Sequence, residues 1–202
     1  MILIMALLCV EDVTRRLLVT SSIIKGYFKT WLGIKMSKYK TAPSYTVVRD
    51  TREQQGYFFK KFNTCNGTVQ RKLDTGDYSI LGMEDKVCIE RKASVSEIAL
   101  NLGKGKYAFY NEVERMRDYE HKFIVCEFSM EDVMKFPEGA NIPKELKGKV
   151  KITGKYILRC LMEFSVFNNV HVIFAGSERG AFDLISSLLK RINEKYTIGR
   201  KS

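Results

Sequence analysis

The chain has 202 residues, of which 45% are hydrophobic and 28% charged. That balance excludes a disordered chain and leaves enough length for one compact domain with a full core plus an extra segment. A formal charge of +11 at pH 7 points to an anionic partner, most simply nucleic acid. Cys9, Cys65, Cys88, Cys126 and Cys160 are scattered without a C-x-x-C pair, and only two histidines occur, His121 and His171. Zinc constellations and a secreted disulfide framework are thereby excluded, and reduced buried thiols imply an intracellular protein that is not secreted.

Residues 1–35 differ from the rest. Met1–Val10 is a ten-residue apolar run, too short to span a bilayer, and no basic residue precedes it as in a secretory signal. Met36 reads as the native start, which makes residues 1–35 an N-terminal extension and residues 36–202 the working domain. The competing reading is an added helical arm or a membrane-contacting segment. Most of the excess positive charge lies after residue 35 on either reading.

Thr46–Asp50 is an apolar strand ending in an acid, and ligands of α/β proteins gather at strand ends. A short helix is expected over Glu53–Phe62 and a strand over Thr68–Leu73, after an Asn66-Gly67 turn. Next comes a hairpin, with strands Tyr78–Leu81 and Lys86–Arg91 folding about Met83 and Glu84. This register sets Leu81 opposite Lys86, Ser79 opposite Cys88 and Asp77 opposite Glu90. Opposed residues have Cβ atoms ~5 Å apart. Side chains alternate along a strand, so Glu90 and Lys92 share a face and Arg91 points away.

Two carboxylates and one ammonium thus converge at one end of the hairpin. Mg²⁺ takes one or two carboxylates and fills its shell with water and phosphate oxygens. The set is therefore the minimum kit for metal-dependent phosphodiester cleavage, with Lys92 orienting the nucleophile or offsetting charge. The plainer alternative is an ordinary hairpin with an Asp77–Lys92 or Asp77–Arg91 ion pair. Asp50, at its own strand end, is placed to join the cluster.

Ser94-Val95-Ser96-Glu97 fits a capping box opening a helix through Leu102. A helix over Tyr107–Tyr119 follows, then a buried strand at Phe123–Cys126 and a short helix from Ser129 that stops before Pro137. A buried helix is expected over Tyr156–Phe167, a strand over Val170–Ala175, and the clearest amphipathic helix over Ser177–Tyr196. Strands separated by helices imply an α/β fold with a mixed sheet between helical layers. Gly148–Lys155 imitates a phosphate loop, but has five residues between its glycines, and Tyr156 replaces the Ser or Thr. It is read instead, with Lys144, Lys147, Lys149, Lys151, Lys155 and Arg159, as a lysine-rich connection kept mobile by Gly148 and Gly154 and able to meet DNA phosphates. Lys104 and Lys106 offer the same contact. The competing reading of both is a solvated surface.

Three segments taken in order, VVRDTREQ, LDTGDYSI and VCIERKASVSEIALNL, resemble the nuclease domain of XPF-type (Hef-like) structure-specific endonucleases of the PD-(D/E)xK superfamily, over roughly residues 45 to 196. The family pattern reads V-D-x-R-E, G-D-Y and V-E-R-K-x-x-x-D. The resemblance implies a restriction-endonuclease-like mixed β-sheet flanked by helices. It implies Asp50, Asp77 and Glu90 as ligands of Mg²⁺ or Mn²⁺, Lys92 as the catalytic lysine, and Arg52, Glu53 and Arg91 as supporting residues. It also implies branched or flapped DNA as substrate, in repair, recombination or replication, and a homodimer formed through the C-terminal helices. One departure stands out: the family's last Asp falls at Ser96, and the nearest acid is Glu97. The alternative from another class is a catalytically silent nuclease fold that binds DNA or scaffolds a partner. A restriction-like nuclease is a lesser option.

Overall fold

The structure, a computed structural model, describes residues 43–198. The extension assigned to residues 1–35 lies outside the described residues. Six strands form one sheet in the order β2-β1-β3-β4-β5-β6. They are β1 (Tyr45–Asp50), β2 (Cys65–Arg71), β3 (Tyr78–Ile80), β4 (Val87–Lys92), β5 (His121–Cys126) and β6 (His171–Phe174). β1 and β2 run parallel, β3 is antiparallel to both β1 and β4, and β4, β5 and β6 are parallel. The mixed sheet flanked by helices is thus as the sequence implies.

The helices are α1 (Val95–Leu102), α2 (Lys106–Met116), α3 (Met130–Met134), α4 (Lys144–Lys147), α5 (Gly154–Asn168) and α6 (Glu178–Ile198). Alternation along β4 sorts them into two layers. Val87 and Ile89 join Tyr78, Ala181, Ile185 and Leu189 in the core beneath α6. Cys88 faces the other way, into the core built by Ile98, Phe109, Val113, Ile157 and Phe164 from α1, α2 and α5. Period two on the strand therefore decides which layer each catalytic candidate meets. Among the described residues no helix is long and apolar enough to cross a membrane, and Cys65, Cys88, Cys126 and Cys160 are free thiols.

Three local expectations are corrected. Residues 53–62 form no helix. Their backbone groups are taken by side chains of the sheet: Tyr57 N–H donates to Tyr78 Oη at 2.6 Å, and Phe59 N–H donates to Thr68 Oγ1 at 2.7 Å. Asn66-Gly67 is not a turn; it lies inside β2, where the β1–β2 register shifts and Gly67 takes φ 107°. Gly154 is not a hinge. It is buried at the start of α5, where an added Cβ would stand 1.9 Å from the Val133 carbonyl oxygen.

Every described strand and helix lies after Met36. A chain beginning there is expected to melt at the same temperature as the full chain, and a large drop in the midpoint would make residues 1–35 part of the working fold.

Candidate active site

The site is built where the end of β4 meets Asp77, the residue just before β3. Tyr78 pairs with Ile89, which sets Asp77 beside Glu90 as the hairpin register requires. Two backbone contacts fix Asp77: its N–H donates to the Ile89 carbonyl at 2.8 Å, and its Oδ2 accepts the Arg91 N–H at 2.7 Å. Gly76, at φ 79°, makes this approach possible, because a Cβ there would meet Cys88 Sγ at 2.6 Å.

Glu90 and Lys92 share the face of β4 turned to α1 and α2. Lys92 Nζ donates to Glu90 Oε1 at 2.6 Å, and both side chains are more than nine-tenths buried. Glu97 Oε1 lies 3.5 Å from the same ammonium, and the Phe109 ring lies 4.8 Å away. Lys92 is therefore fixed in position by two carboxylates and an aromatic face. The ordinary ion pairs of a plain hairpin are not what forms: Lys92 pairs with Glu90, and the Asp77 carboxylate meets only the backbone N–H of Arg91 among the described hydrogen bonds.

The charge balance of this cluster is unfavourable to its acids. Burial, then the neighbouring Glu90, push the Asp77 carboxyl well above the usual carboxylate range. Burial pushes Glu90 up to about 7; the Lys92 ammonium pulls it down, but Glu112 and Glu97 push it up again. Burial alone would lower Lys92, yet attraction and hydrogen bonding to Glu90 hold it above its usual value. The pair thus serves the lysine, while desolvation decides the glutamate.

Asp50 is engaged elsewhere. Its Oδ1 accepts from Arg52 Nε at 2.8 Å and from the Arg52 N–H at 2.7 Å, and its Oδ2 accepts the Leu73 N–H at 2.6 Å. Burial would raise its pKa, but these contacts outweigh burial and hold it below the ordinary value. Its backbone N–H still donates to the Asp77 carbonyl at 2.8 Å, so β1 positions Asp77 while the Asp50 carboxylate clasps Arg52. Among the described residues no three of His, Cys, Asp and Glu converge closely enough to hold a metal ion unaided. Asp77 and Glu90 alone nevertheless fit a hard cation, whose remaining ligands are water and phosphate oxygens. They are two desolvated acids whose charges oppose each other, with the Lys92 ammonium hydrogen-bonded to one of them, Glu90.

A second cluster occupies the α6 face of β4. Arg91 Nη1 donates to Glu127 Oε1 at 2.5 Å, and its Nη2 to Glu53 Oε1 at 3.4 Å. Tyr57 Oη donates a very short hydrogen bond to the same Glu127 oxygen. Neither Glu127 nor Tyr57 is visible in the motif pattern, since Glu127 lies 36 residues from Arg91 and 70 residues from Tyr57. Glu112, on α2, is a further acid the motifs omit; its charge acts on Glu90, Lys92 and Arg52 alike.

A family profile described as the ERCC4 domain matches residues 49–188. The chain belongs to the ERCC4 domain family. That family is one of DNA nucleases, and residues 49–188 contain all three motif segments from Arg49 onward. Two solved structures agree on the fold. XPF from Aeropyrum pernix superposes with a TM-score of 0.51 at 18% identity, covering 77% of this chain and 69% of that one. XPF from Aeropyrum pernix in complex with DNA gives 0.51 at 18%, covering 75% and 66%. No curated protein matches the chain.

Within this ERCC4 domain, Ser94 and Glu97 do two jobs. Ser94 Oγ accepts the Glu97 N–H at 3.1 Å, capping α1 as its sequence suggests. The Glu97 carboxylate reaches the Ala93 N–H at 2.9 Å with one oxygen and faces Lys92 with the other. The helices that follow the two lysine-rich stretches meet: Lys106, on α2, lies 6.0 Å from the ring of Tyr156 on α5, and Arg159, on the same helix as Tyr156, lies 5.2 Å from that ring. Lys104, Lys106, Lys149, Lys151 and Lys155 are all exposed. Lys147 differs, because its Nζ donates to the Glu138 carbonyl at 2.6 Å.

Proposed function

We propose that this ERCC4 domain is a metal-dependent DNA endonuclease that hydrolyses phosphodiester bonds at branched or flapped DNA, in repair, recombination or replication. The observation that carries the reading is the desolvated Asp77–Glu90 pair beside Lys92. Two acids held together and pushed up in pKa are a liability to a scaffold and an asset to a site that takes a cation. Asp77 and Glu90 hold Mg²⁺ or Mn²⁺, with Asp50 fixing the backbone beneath Asp77. The cation, when bound, supplies charge neutralisation at the phosphate and lowers the pKa of water.

The protein's own residues do the rest. Lys92 keeps its proton and offsets negative charge as it builds on the phosphate. Glu90 and Glu97 hold its Nζ at the site, so no reorganisation is needed during the reaction. Arg91 anchors the strand from its opposite face through Glu53 and Glu127, and its backbone N–H orients Asp77. Incubation with flap, fork, four-way junction, linear duplex and single-stranded DNA, each with and without Mg²⁺, tests the reading. Cutting of branched forms above linear duplex is expected. Binding without cutting of any form would favour the silent scaffold.

The basic loops position DNA in this reading through phosphates, without reading sequence. Changing Lys149, Lys151 and Lys155 together to Ala is expected to flatten the slope of log affinity against log salt by up to ~2.7 units on duplex, ~0.9 per contact. An unchanged slope would leave the loop a solvated surface.

The chain further acts as a homodimer through its C-terminal helices. Val166 and Phe167 at the end of α5 are each 74% exposed, and α5 contacts β6, an edge strand of the sheet. An exposed apolar helix end beside an open strand edge invites a second copy. Phe167→Glu is expected to convert a dimer to a monomer by light scattering, and a parent that is already monomeric removes this part of the account.

A further inference from the structure

The connection between β1 and β2 carries Tyr57-Phe58-Phe59-Lys60-Lys61-Phe62, a run of three aromatic residues, two lysines and a fourth aromatic. The structure divides these rings by role. Tyr57 and Phe59 are buried, while Phe58 is 58% exposed and Phe62 73% exposed. Two large aromatics held out in water cost solvation without adding to the core. They border a groove of about 480 Å³ between this loop and α6, within the size range of ligand clefts. Phe59 and Phe182 are stacked at 5.0 Å with planes 11° apart, and both rings line the groove. Lys60 and Lys190 also line it, and among the described residues no acid does.

The loop is rigidly placed. The Arg49 guanidinium lies 3.8 Å from the Phe58 ring centroid, and its Nη1 donates to the Gly56 carbonyl at 2.9 Å. Tyr57 and Phe59 are tied to the sheet through Tyr78 and Thr68. Phe58 is thus held against Arg49, which removes part of the ordering cost of a contact to that ring.

Flat aromatic faces flanked by lysines, with no carboxylate among them, match one chemistry. Bases stack on the rings and phosphates meet the ammonium groups, in a manner tolerant of sequence. A duplex offers no free base face, so the occupant must be unpaired. We propose that this groove seats an unpaired base of a single-stranded DNA segment, with Phe58 and Phe62 as the stacking rings and Lys60 and Lys190 at the phosphates. The proposal rests on the DNA-nuclease reading and deepens it, because it assigns the recognition of a strand branch to a site of this domain.

Fluorescence anisotropy on the full chain, with labelled oligo-dT and a blunt duplex of equal length, separates the two readings. Phe58→Ala and Phe62→Ala remove exposed rings, so both variants should melt as the parent does. Each is expected to weaken oligo-dT binding about tenfold, from the loss of one stacking contact, with blunt-duplex affinity unchanged. Equal oligo-dT affinity in parent and both variants overturns the base seat alone. An equal loss on duplex and single strand also overturns it, by making the rings general supports of the surface. Reduced self-association with unchanged oligo-dT binding assigns the groove to a second copy and overturns it likewise. A parent that binds neither DNA overturns the nuclease reading as well.

Discussion

Asp77→Asn is expected to abolish DNA cleavage and, without metal, to make the protein more stable above neutral pH. Activity should be lost because the side chain gives up one of the two carboxylates proposed to hold the cation. The rise in stability follows from the charges. Asp77 is raised by burial and by Glu90, so its ionised form opposes folding, and Asn removes that charge. Its oxygen can still accept the Arg91 N–H now taken by Asp77 Oδ2. The sign holds for the pair. A carboxyl whose folded pKa exceeds its unfolded value binds more protons when folded, so stability falls as pH rises between the two. For Glu90 that window runs from 4.5 to about 7.

The parent should therefore melt lower at about pH 8 than at about pH 5 through this pair. Mg²⁺ should recover the difference by binding the folded carboxylates. In Asp77→Asn the midpoint should rise by several degrees at high pH, since each kcal/mol moves a chain of this size about 2–4 °C, and Mg²⁺ should add little. Glu90→Gln should stop cleavage too but not stabilise, because it leaves the buried Lys92 ammonium without its partner at 2.6 Å. Thermal melts across pH with and without Mg²⁺ check all of this. A variant that cuts at the parental rate removes Asp77 from the site.

Arg91→Met is expected to destabilise the fold by about 3–5 kcal/mol, the usual cost of removing one partner from a buried ion pair. The Arg91 side chain is 7% exposed, with Glu127 at 10% and Glu53 at 13%. Truncation leaves both acids nearly buried without a counter-charge, and Tyr57 alone still donates to Glu127. Denaturant unfolding gives the magnitude. Arg91→Met combined with Glu127→Leu should recover part of the loss, because an apolar pair carries no unpaired charge. A single-variant loss below about 0.5 kcal/mol, the range of ordinary surface changes, would contradict a load shared through Arg91.

The hairpin was legible in sequence because its determinants are local. A short turn near Met83 and strict alternation set Tyr78 against Ile89, and hence Asp77 beside Glu90 and Lys92 on one face. The α6 helix was legible for a similar reason, since Ala181, Ile185, Leu189 and Ile192 mark one buried stripe. Residues 53–62 were misread as helix because their apolar spacing suits either state. Only the distant Tyr78 hydroxyl and Thr68 side chain, absent from any local window, capture the backbone in extended form. The same distance hid Glu127 and Glu112, which reach the site from β5's end and from α2. Asp50 illustrates the limit of a motif: its position is as expected, but the Arg52 and Leu73 contacts that occupy its carboxylate depend on how β1 meets the segment after β2.

The central claim is that Asp77 and Glu90 hold a cation with which this ERCC4 domain cuts DNA. Single-turnover cleavage of a labelled flap substrate by the full chain, in Mg²⁺ and in excess EDTA, tests it most directly. The account predicts cutting near the branch in Mg²⁺ and none in EDTA. Cutting that persists in EDTA, or an intact flap in both Mg²⁺ and Mn²⁺ despite tight DNA binding, would contradict it.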